Sequence, residues 1–432
     1  MHARTFSDAR HFATAALVGV LVGILGGLFH AAIDTVSHWP SWLADHTRGW
    51  LHITLSALIT MSITVLCVFV VRRAAPEAAG SGVQEIEGAM EGLRVIRWQR
   101  ILPVKFFTGI LSIGSGLVLG REGPTIHIGA SVSAWVSGRA ELAEHEHKGL
   151  LAAGAAAGLA CAFNAPVAAL LFVGEEMKRQ FPFSFRNYMA VAIACVLATV
   201  VAGLVTGASP GPDLRLSLPD APISAVLLPI FVVLGLLLGF LGFALNKGLL
   251  LASSVSTFCH TRLPYAFPAA VGLAVGILLV VFPAAVTGGE TLIKQFSLAT
   301  PTLGLLLALV AVRFFTTTAS YATGVPGGIF APILSLAMCA GLAFGTLADH
   351  LLPFTGVDPV VFGVAAMGGL FAASVHAPTV GIILIAELTG TYALLLPLMI
   401  TCTSAYITAK WLGGKPIYEE LLERILKPGA RR

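Results

Sequence analysis

Three glycine-rich breaks hold the residue types best suited to chemistry: Gly80-Ser-Gly-Val-Gln84, Gly120-Arg-Glu-Gly-Pro124 and Gly327-Gly-Ile-Phe-Ala-Pro332. Each precedes a run that can be helical. Glycine lets the chain turn so that successive N–H groups point into one space, and proline suits the first helical turn. A helix N-terminus carries about half a positive charge and unpaired N–H donors. Several such ends converging would hold an anion without any lysine or arginine. Partial charges also let the ion go, whereas a full charge at low dielectric would trap it. Each break alone also reads as a plain helix kink. Three together weigh against that.

The carboxylates come next. Glu122 lies in a glycine-lined apolar segment, where a charge is costly unless it has a function. Ionised, it resembles an anion and can occupy a site made by the same N–H groups; protonated, it loses that attraction and can leave. Pairing with Arg121 is the simpler reading, but adjacent side chains diverge on a helix. Glu175 and Glu176 end the segment AFNAPVAALLFVGEE, and Lys178 and Arg179 after them also fit a solvated helix end. Lys105 and Glu87, both among apolar residues, can form a buried pair. His145 and His147 flank Glu146 like part of a zinc site, yet Glu141, Glu144 and Lys148 read as a polar loop, and no metal is expected. The six cysteines are isolated, most lie within apolar runs, and no CxxC spacing occurs, so they read as small core residues. There is no HExxH, Walker or nucleophile-elbow motif, only a lone Ser-Pro-Gly at 209–211.

The elements that must position these groups belong in lipid. Of 432 residues, 56% are apolar and only 11% charged, against about 25% charged in a soluble domain. Disordered chains, secreted disulfide scaffolds and almost any cytosolic enzyme are excluded. The net charge of +4 is small and the basic residues form no patch, so no nucleic-acid partner is expected. Arg94, Arg97 and Arg100 punctuate a polar segment, and a basic excess beside hydrophobic spans marks cytoplasmic loops. The apolar run 13–29 imitates a signal peptide, but no cleavage site and soluble domain follow, so it is the first span. Later segments are often shorter than the roughly 20 residues a straight span needs. Gly324-Val-Pro-Gly-Gly328 cuts the uncharged stretch between Arg313 and Asp349. Backbone broken at membrane depth is tolerated when buried in protein or lining a cavity. Transport is the function such breaks suggest.

An internal repeat points the same way. Ala165-Pro166 precedes Glu175 at the spacing by which Ala377-Pro378 precedes Glu387, and the prolines are 212 positions apart. Pro124 and Pro332, ending the second and third breaks, are 208 apart. The halves run from about 13 to 207 and from about 223 to 410, with a loop at 208–222 and a short C-terminal cytoplasmic helix at 411–432. Duplicated halves with broken helices are typical of carriers. Glu387 reads as structural.

The segments GSGVQEIEGAMEGLRVIRWQRILPVKFF, GREGP, AFNAP with its following EEM, GVPGGIFAP and GGKPIY resemble the CLC family of chloride channels and chloride/proton exchangers. The similarity runs from the first span to Tyr418. It fits the prokaryotic exchanger branch, because about twenty residues remain after the last span. The resemblance implies an all-α integral membrane protein: a CLC-type bundle of many tilted and broken helices, built from two inverted repeats in one membrane domain over 1–432. It also implies a homodimer in the lipid bilayer, in a bacterial inner membrane with both termini cytoplasmic, exchanging chloride for protons without a cofactor.

By the same resemblance Ser81, Gly82, Glu122, Gly123, Ile329, Phe330 and Tyr418 form the anion site. Ser81 and Tyr418 offer hydroxyls, and Ile329 and Phe330 offer backbone N–H groups. Glu122 matches the gating glutamate, Glu176 the proton acceptor on the cytoplasmic side, and Glu175 lines or supports that route. The family usually has proline where Gln84 stands; the amide can line the pathway and bears on selectivity. Ser81 and the intact GREGP favour chloride over fluoride.

The alternative is a passive voltage- or pH-gated chloride channel on the same fold, against which the combination of Glu122 and Glu176 weighs. An intramembrane protease would need a nucleophile–base pair, and Ser81, His127 and His376 show no such partners in the sequence. No enzymatic activity is expected. Replacing Glu122→Gln should abolish proton coupling, read as chloride-driven pH change outside sealed vesicles. Coupling at full strength in that variant would place the gate elsewhere.

Overall fold

The computed structural model describes residues 2–140, 144–177, 181–207, 214, 224–351 and 357–426. Most of the expected linker 208–222, the Ser-Pro-Gly at 209–211, Lys178, Arg179 and residues 427–432 lie outside the described residues. Eighteen α-helices occur among the described residues. The first half contains α1 (His2–Val36), α2 (Trp39–His46), α3 (Gly49–Ala74), α4 (Val83–Met90), α5 (Trp98–Gly114), α6 (Glu122–Ser137), α7 (Glu144–Phe163), α8 (Pro166–Glu175) and α9 (Phe185–Thr206). The second contains α10 (Leu228–Arg262), α11 (Ala266–Val281), α12 (Glu290–Leu298), α13 (Leu303–Ala322), α14 (Phe330–Leu351), α15 (Pro359–Val375), α16 (Pro378–Thr389) and α17 (Leu395–Trp411), followed by α18 (Ile417–Leu426). Among the described residues, seven helical segments are long and apolar enough to cross a membrane.

The two halves pack alike. α1 lies on α9 as α10 lies on α17, and α6 on α7 as α14 on α15; α3 meets α11 and α8 meets α16 across the halves. The apolar segments 149–174 and 360–386 are not continuous helices. They break at Asn164 and His376, both at positive φ (53° and 64°), a conformation uncommon outside glycine. These residues are again 212 apart. Small residues allow the central contacts: a Cβ on Gly129, Gly154 or Gly158 would strike backbone or side-chain atoms of the facing helix. Where lipid supplies no hydrophobic drive, such close approach replaces it.

Glu175 and Glu387 tie the halves together reciprocally. The Glu175 carboxylate accepts from Thr379 N–H (3.2 Å) and Val380 N–H (2.8 Å) at the start of α16. Glu387 accepts from Val167 N–H (3.1 Å) and Ala168 N–H (2.7 Å) at the start of α8. Each satisfies donors that a helix cannot satisfy itself and meets the positive end of its dipole. Glu175, expected beside the proton route, therefore has both oxygens engaged at a helix end.

Two buried cations hold the loops that lead into α4 and α12. Lys105 does not pair with Glu87 among the ion pairs of the described residues. Its Nζ donates to the carbonyls of Ala78 (3.0 Å) and Gly80 (2.6 Å). Arg313, 208 positions later, donates to the carbonyls of Ala284, Val286, Thr287 and Gly288 and to Ser335 Oγ at 2.7–3.2 Å. The partners are neutral because a loop turning at membrane depth leaves carbonyls that need donors. Arg94, in the segment expected to be polar, grips Glu85 of α4 through two bonds of 2.7 and 2.8 Å. Residues 144–148 form the first turn of α7 rather than a loop, and Glu146 pairs with Arg186 at 2.8 Å.

Arg313→Met should lower unfolding stability in detergent by on the order of 3 kcal/mol, since several buried carbonyls lose their donor. An unchanged thermal midpoint would show that the loop needs no clamp. Glu175→Gln should cost about 1 kcal/mol and leave chloride-driven proton movement at the parent rate. A loss of that movement in a stably folded variant would return Glu175 to the route itself.

Candidate anion-binding site

Backbone hydrogen bonds draw the three glycine-rich breaks to one place. Gly120 and Gly328 exchange both bonds, N–H to carbonyl, at 2.8 and 2.7 Å, forming an antiparallel bridge. Gly80 N–H donates to Val325 O and Gly327 N–H to Gly80 O, each at 3.1 Å, forming a parallel bridge around Pro326. Ser112 Oγ donates to Pro326 O at 2.5 Å. The N-termini of α4, α6 and α14 are thereby fixed around a common centre. Gly82 precedes α4 with φ of 95°, and a Cβ there would strike the His127 ring. A Cβ on Gly123 would collide with Ser81 Oγ, so the bare backbone of α6 rests directly on that serine.

The hydroxyls expected to face an anion are neighbours. Ser81 and Tyr418 are both wholly buried, and the phenol of Tyr418 faces the Ser81 side chain. Neither oxygen has an aligned hydrogen-bond partner among the described residues. Such a group costs about 1–3 kcal/mol when buried unsatisfied, a cost that an anion accepting from both would remove. Ile329 and Phe330 stand at the start of α14, where N–H groups have no intrahelical acceptor. Phe330 fixes the geometry: its ring meets Tyr418 edge-on at 5.9 Å, Phe371 at 5.1 Å and Phe172 at 6.2 Å, and stacks on Phe163 at 6.2 Å.

Glu122, 1% exposed, begins α6. Its carboxylate lies against its own N–H and that of Ala331, at the first turns of α6 and α14. Oε2 has no hydrogen-bond partner among the described residues. The side chain thus sits where two helix ends favour negative charge. Beyond it opens a cavity of about 260 Å³, whose wall includes His30, Asp34, Arg121, Glu290 and Lys294. Arg121 Nη1 is 3.8 Å from Asp34 Oδ1. Glu176 caps the far end of α8, its N–H donating to Phe172 O at 2.9 Å. Tyr418 lies in the electrostatic neighbourhood of both Glu176 and Glu122.

The structure therefore gathers Ser81, Gly82, Glu122, Gly123, Ile329, Phe330 and Tyr418 and sets Glu175 apart. Not foreseen from the sequence were that cavity, Glu290, Tyr321 and the Arg313 clamp. The clamp had a signal, since Arg313 follows Lys105 at the 208-residue offset of the repeat. Glu290 and Tyr321 had none, because only the packing brings them to the site. Among the described residues no three His, Cys, Asp or Glu side chains gather as metal ligands.

The chain is similar to known proteins over nearly its whole length. A family model described as voltage gated chloride channel matches residues 63–410. The "H(+)/Cl(-) exchange transporter ClcA" of Vibrio parahaemolyticus is 43% identical over 420 residues, covering 96% of this chain and 89% of that protein. The ClcA of Salmonella typhimurium is 40% identical over 421 residues, covering 95% and 88%. The crystal structure of a slow cyanobacterial Cl⁻/H⁺ antiporter superposes with a TM-score of 0.90 at 34% identity, over 96% of this chain and 98% of that one. A CLC-type fluoride/proton antiporter shares the fold, with a TM-score of 0.78 at 18% identity over 94% and 96%. With the three glycine-rich helix starts converging as they do, this chain belongs to the voltage-gated chloride channel (CLC) family.

Proposed function

We propose that this protein is a secondary active transporter that exchanges chloride for protons across a membrane. The observation that carries the reading is the Glu122 carboxylate lying against the N–H groups of Glu122 and Ala331, where helix ends converge. The relatives named as H⁺/Cl⁻ exchange transporters support it. Ionised, Glu122 holds the anion's place and closes the path. Once protonated it is no longer drawn to the helix ends, and chloride takes the position. Chloride then rests among Ser81, Tyr418 and the N–H groups of Ile329 and Phe330. These are neutral donors, so it can leave.

Basic residues at the helix ends support one orientation. Arg72 and Arg73 end α3, Arg262 ends α10, and Arg186 near the start of α9 pairs with Asp8 in α1. These ends face the cytoplasm by the positive-inside rule. Glu176, before α9, then opens to the cytoplasm and passes protons towards Glu122, while the outer cavity faces the other side. Glu175 supports that route by fixing α8 against α16. The working unit is a homodimer in a bacterial inner membrane, each subunit with its own pathway.

Purified protein in sealed vesicles tests this directly. An imposed chloride gradient should drive protons uphill, seen with a pH probe outside. Chloride flux without proton movement would leave a passive channel instead. Glu176→Gln should abolish the proton movement and keep chloride flux; unchanged proton movement would remove Glu176 from the route.

A further inference from the structure

Gln84, which stands where the family usually has proline, acquires a partner in the fold. Tyr321 comes from the last turn of α13 and is 6% exposed. Its hydroxyl lies over Gly80: a Cβ on that glycine would stand 2.9 Å from the phenol oxygen. The same oxygen faces the Ser81 N–H and the Gln84 side chain, and Tyr418 is in its electrostatic neighbourhood. Gln84 is 4% exposed, in the first turn of α4, and its Oε1 has no partner among the described residues. The Gln84 amide lies beside the phenol, and, set with its N–H side towards it, the amide gives the oxygen a donor while Oε1 stays unpartnered. A phenol oxygen receiving two N–H groups still has its own proton to give. Donors pointing at the oxygen polarise that O–H and strengthen it. Proline, with no side-chain donor, has nothing to offer the phenol.

We propose that Tyr321, held by Gln84, is a further anion-contacting residue that donates its phenol O–H to the ion beside Ser81 and favours small, charge-dense anions. This rests on the anion-site reading of Ser81 and Tyr418 given above. A third hydroxyl adds attraction that rises as the anion shrinks, because Coulomb energy varies inversely with distance. It adds no formal charge, so release is preserved. Gln84 acts through Tyr321 and is a positioning residue.

The test is calorimetric binding of chloride and of thiocyanate to the purified full chain, with thermal midpoints recorded. Tyr321→Phe keeps the ring and removes the hydroxyl; Gln84→Met keeps the length and removes the amide. Each should weaken chloride binding about fivefold, the worth of one neutral hydrogen bond, and weaken thiocyanate much less. The double variant should resemble Tyr321→Phe, because the two residues act as a unit. Parent-like chloride affinity in both single variants would overturn the proposal. So would equal losses for both anions with a lowered thermal midpoint, which would mark a packing role. If Tyr321→Phe does not fold, the anion ratio of Gln84→Met decides. Ser81→Ala and Tyr418→Phe run alongside: if neither weakens chloride, it is the site reading that fails. If both do while Tyr321→Phe and Gln84→Met leave chloride unaffected, only the Tyr321 proposal fails.

Discussion

The two hydrogen bonds exchanged by Gly120 and Gly328 are the constraint on which the site depends. They tie the start of α6 to the start of α14 at the point where the halves of the chain meet. The pair Gly80 and Gly327 adds α4 to the same centre. A helix end contributes only a partial charge whose effect fades within a turn, so one end holds an anion weakly. Convergence makes the difference. Glu122 lies at that convergence with its carboxylate against the N–H groups of Glu122 and Ala331, and in the exchange we propose it competes there with the ion.

The repeat supplies the frame, and sequence divergence gives its halves separate tasks. Lys105 and Arg313 occupy matching positions and clamp matching loops through carbonyl oxygens. At the helix starts those loops lead into, the first half has Ser81-Gly82 and the second has Gly289-Glu290. In the first half a hydroxyl and a bare turn stand at the start of α4. In the second a carboxylate already occupies the start of α12 and lines the cavity beyond Glu122. The reciprocal caps of Glu175 and Glu387 stay symmetric because both serve structure.

Much of the site was legible one motif at a time. GREGP and GIFAP contain glycine for close approach and proline for a helix start, and both demands are local. The break at Asn164 was only half legible: asparagine tolerates a positive φ and Pro166 suits a helix start, but neither alone requires a break inside the apolar run 149–174. Glu175 and Glu176 show the limit plainly. They are neighbours with the same side chain, and only the position of α16 decides that Glu175 is engaged at a helix end. Lys105 and Glu87 looked like a pair because both are charges in apolar surroundings. The packing instead gave Lys105 two carbonyls, which the sequence does not display as partners.

The sequence by itself determined the membrane setting, the two halves, the three helix starts and the carboxylates available for a proton. Composition, periodicity and local backbone preference act over a few residues and can be read in order along the chain. Tertiary structure alone decided which helix ends converge, which carboxylate meets them, and which side chains from α13 and α18 come to lie beside Ser81. Those choices turn on contacts between residues more than 200 positions apart, such as Gly120 with Gly328 and Ser81 with Tyr321 and Tyr418. The energies involved, hydrogen bonds and partial charges at low dielectric, depend on distance in space rather than distance along the chain.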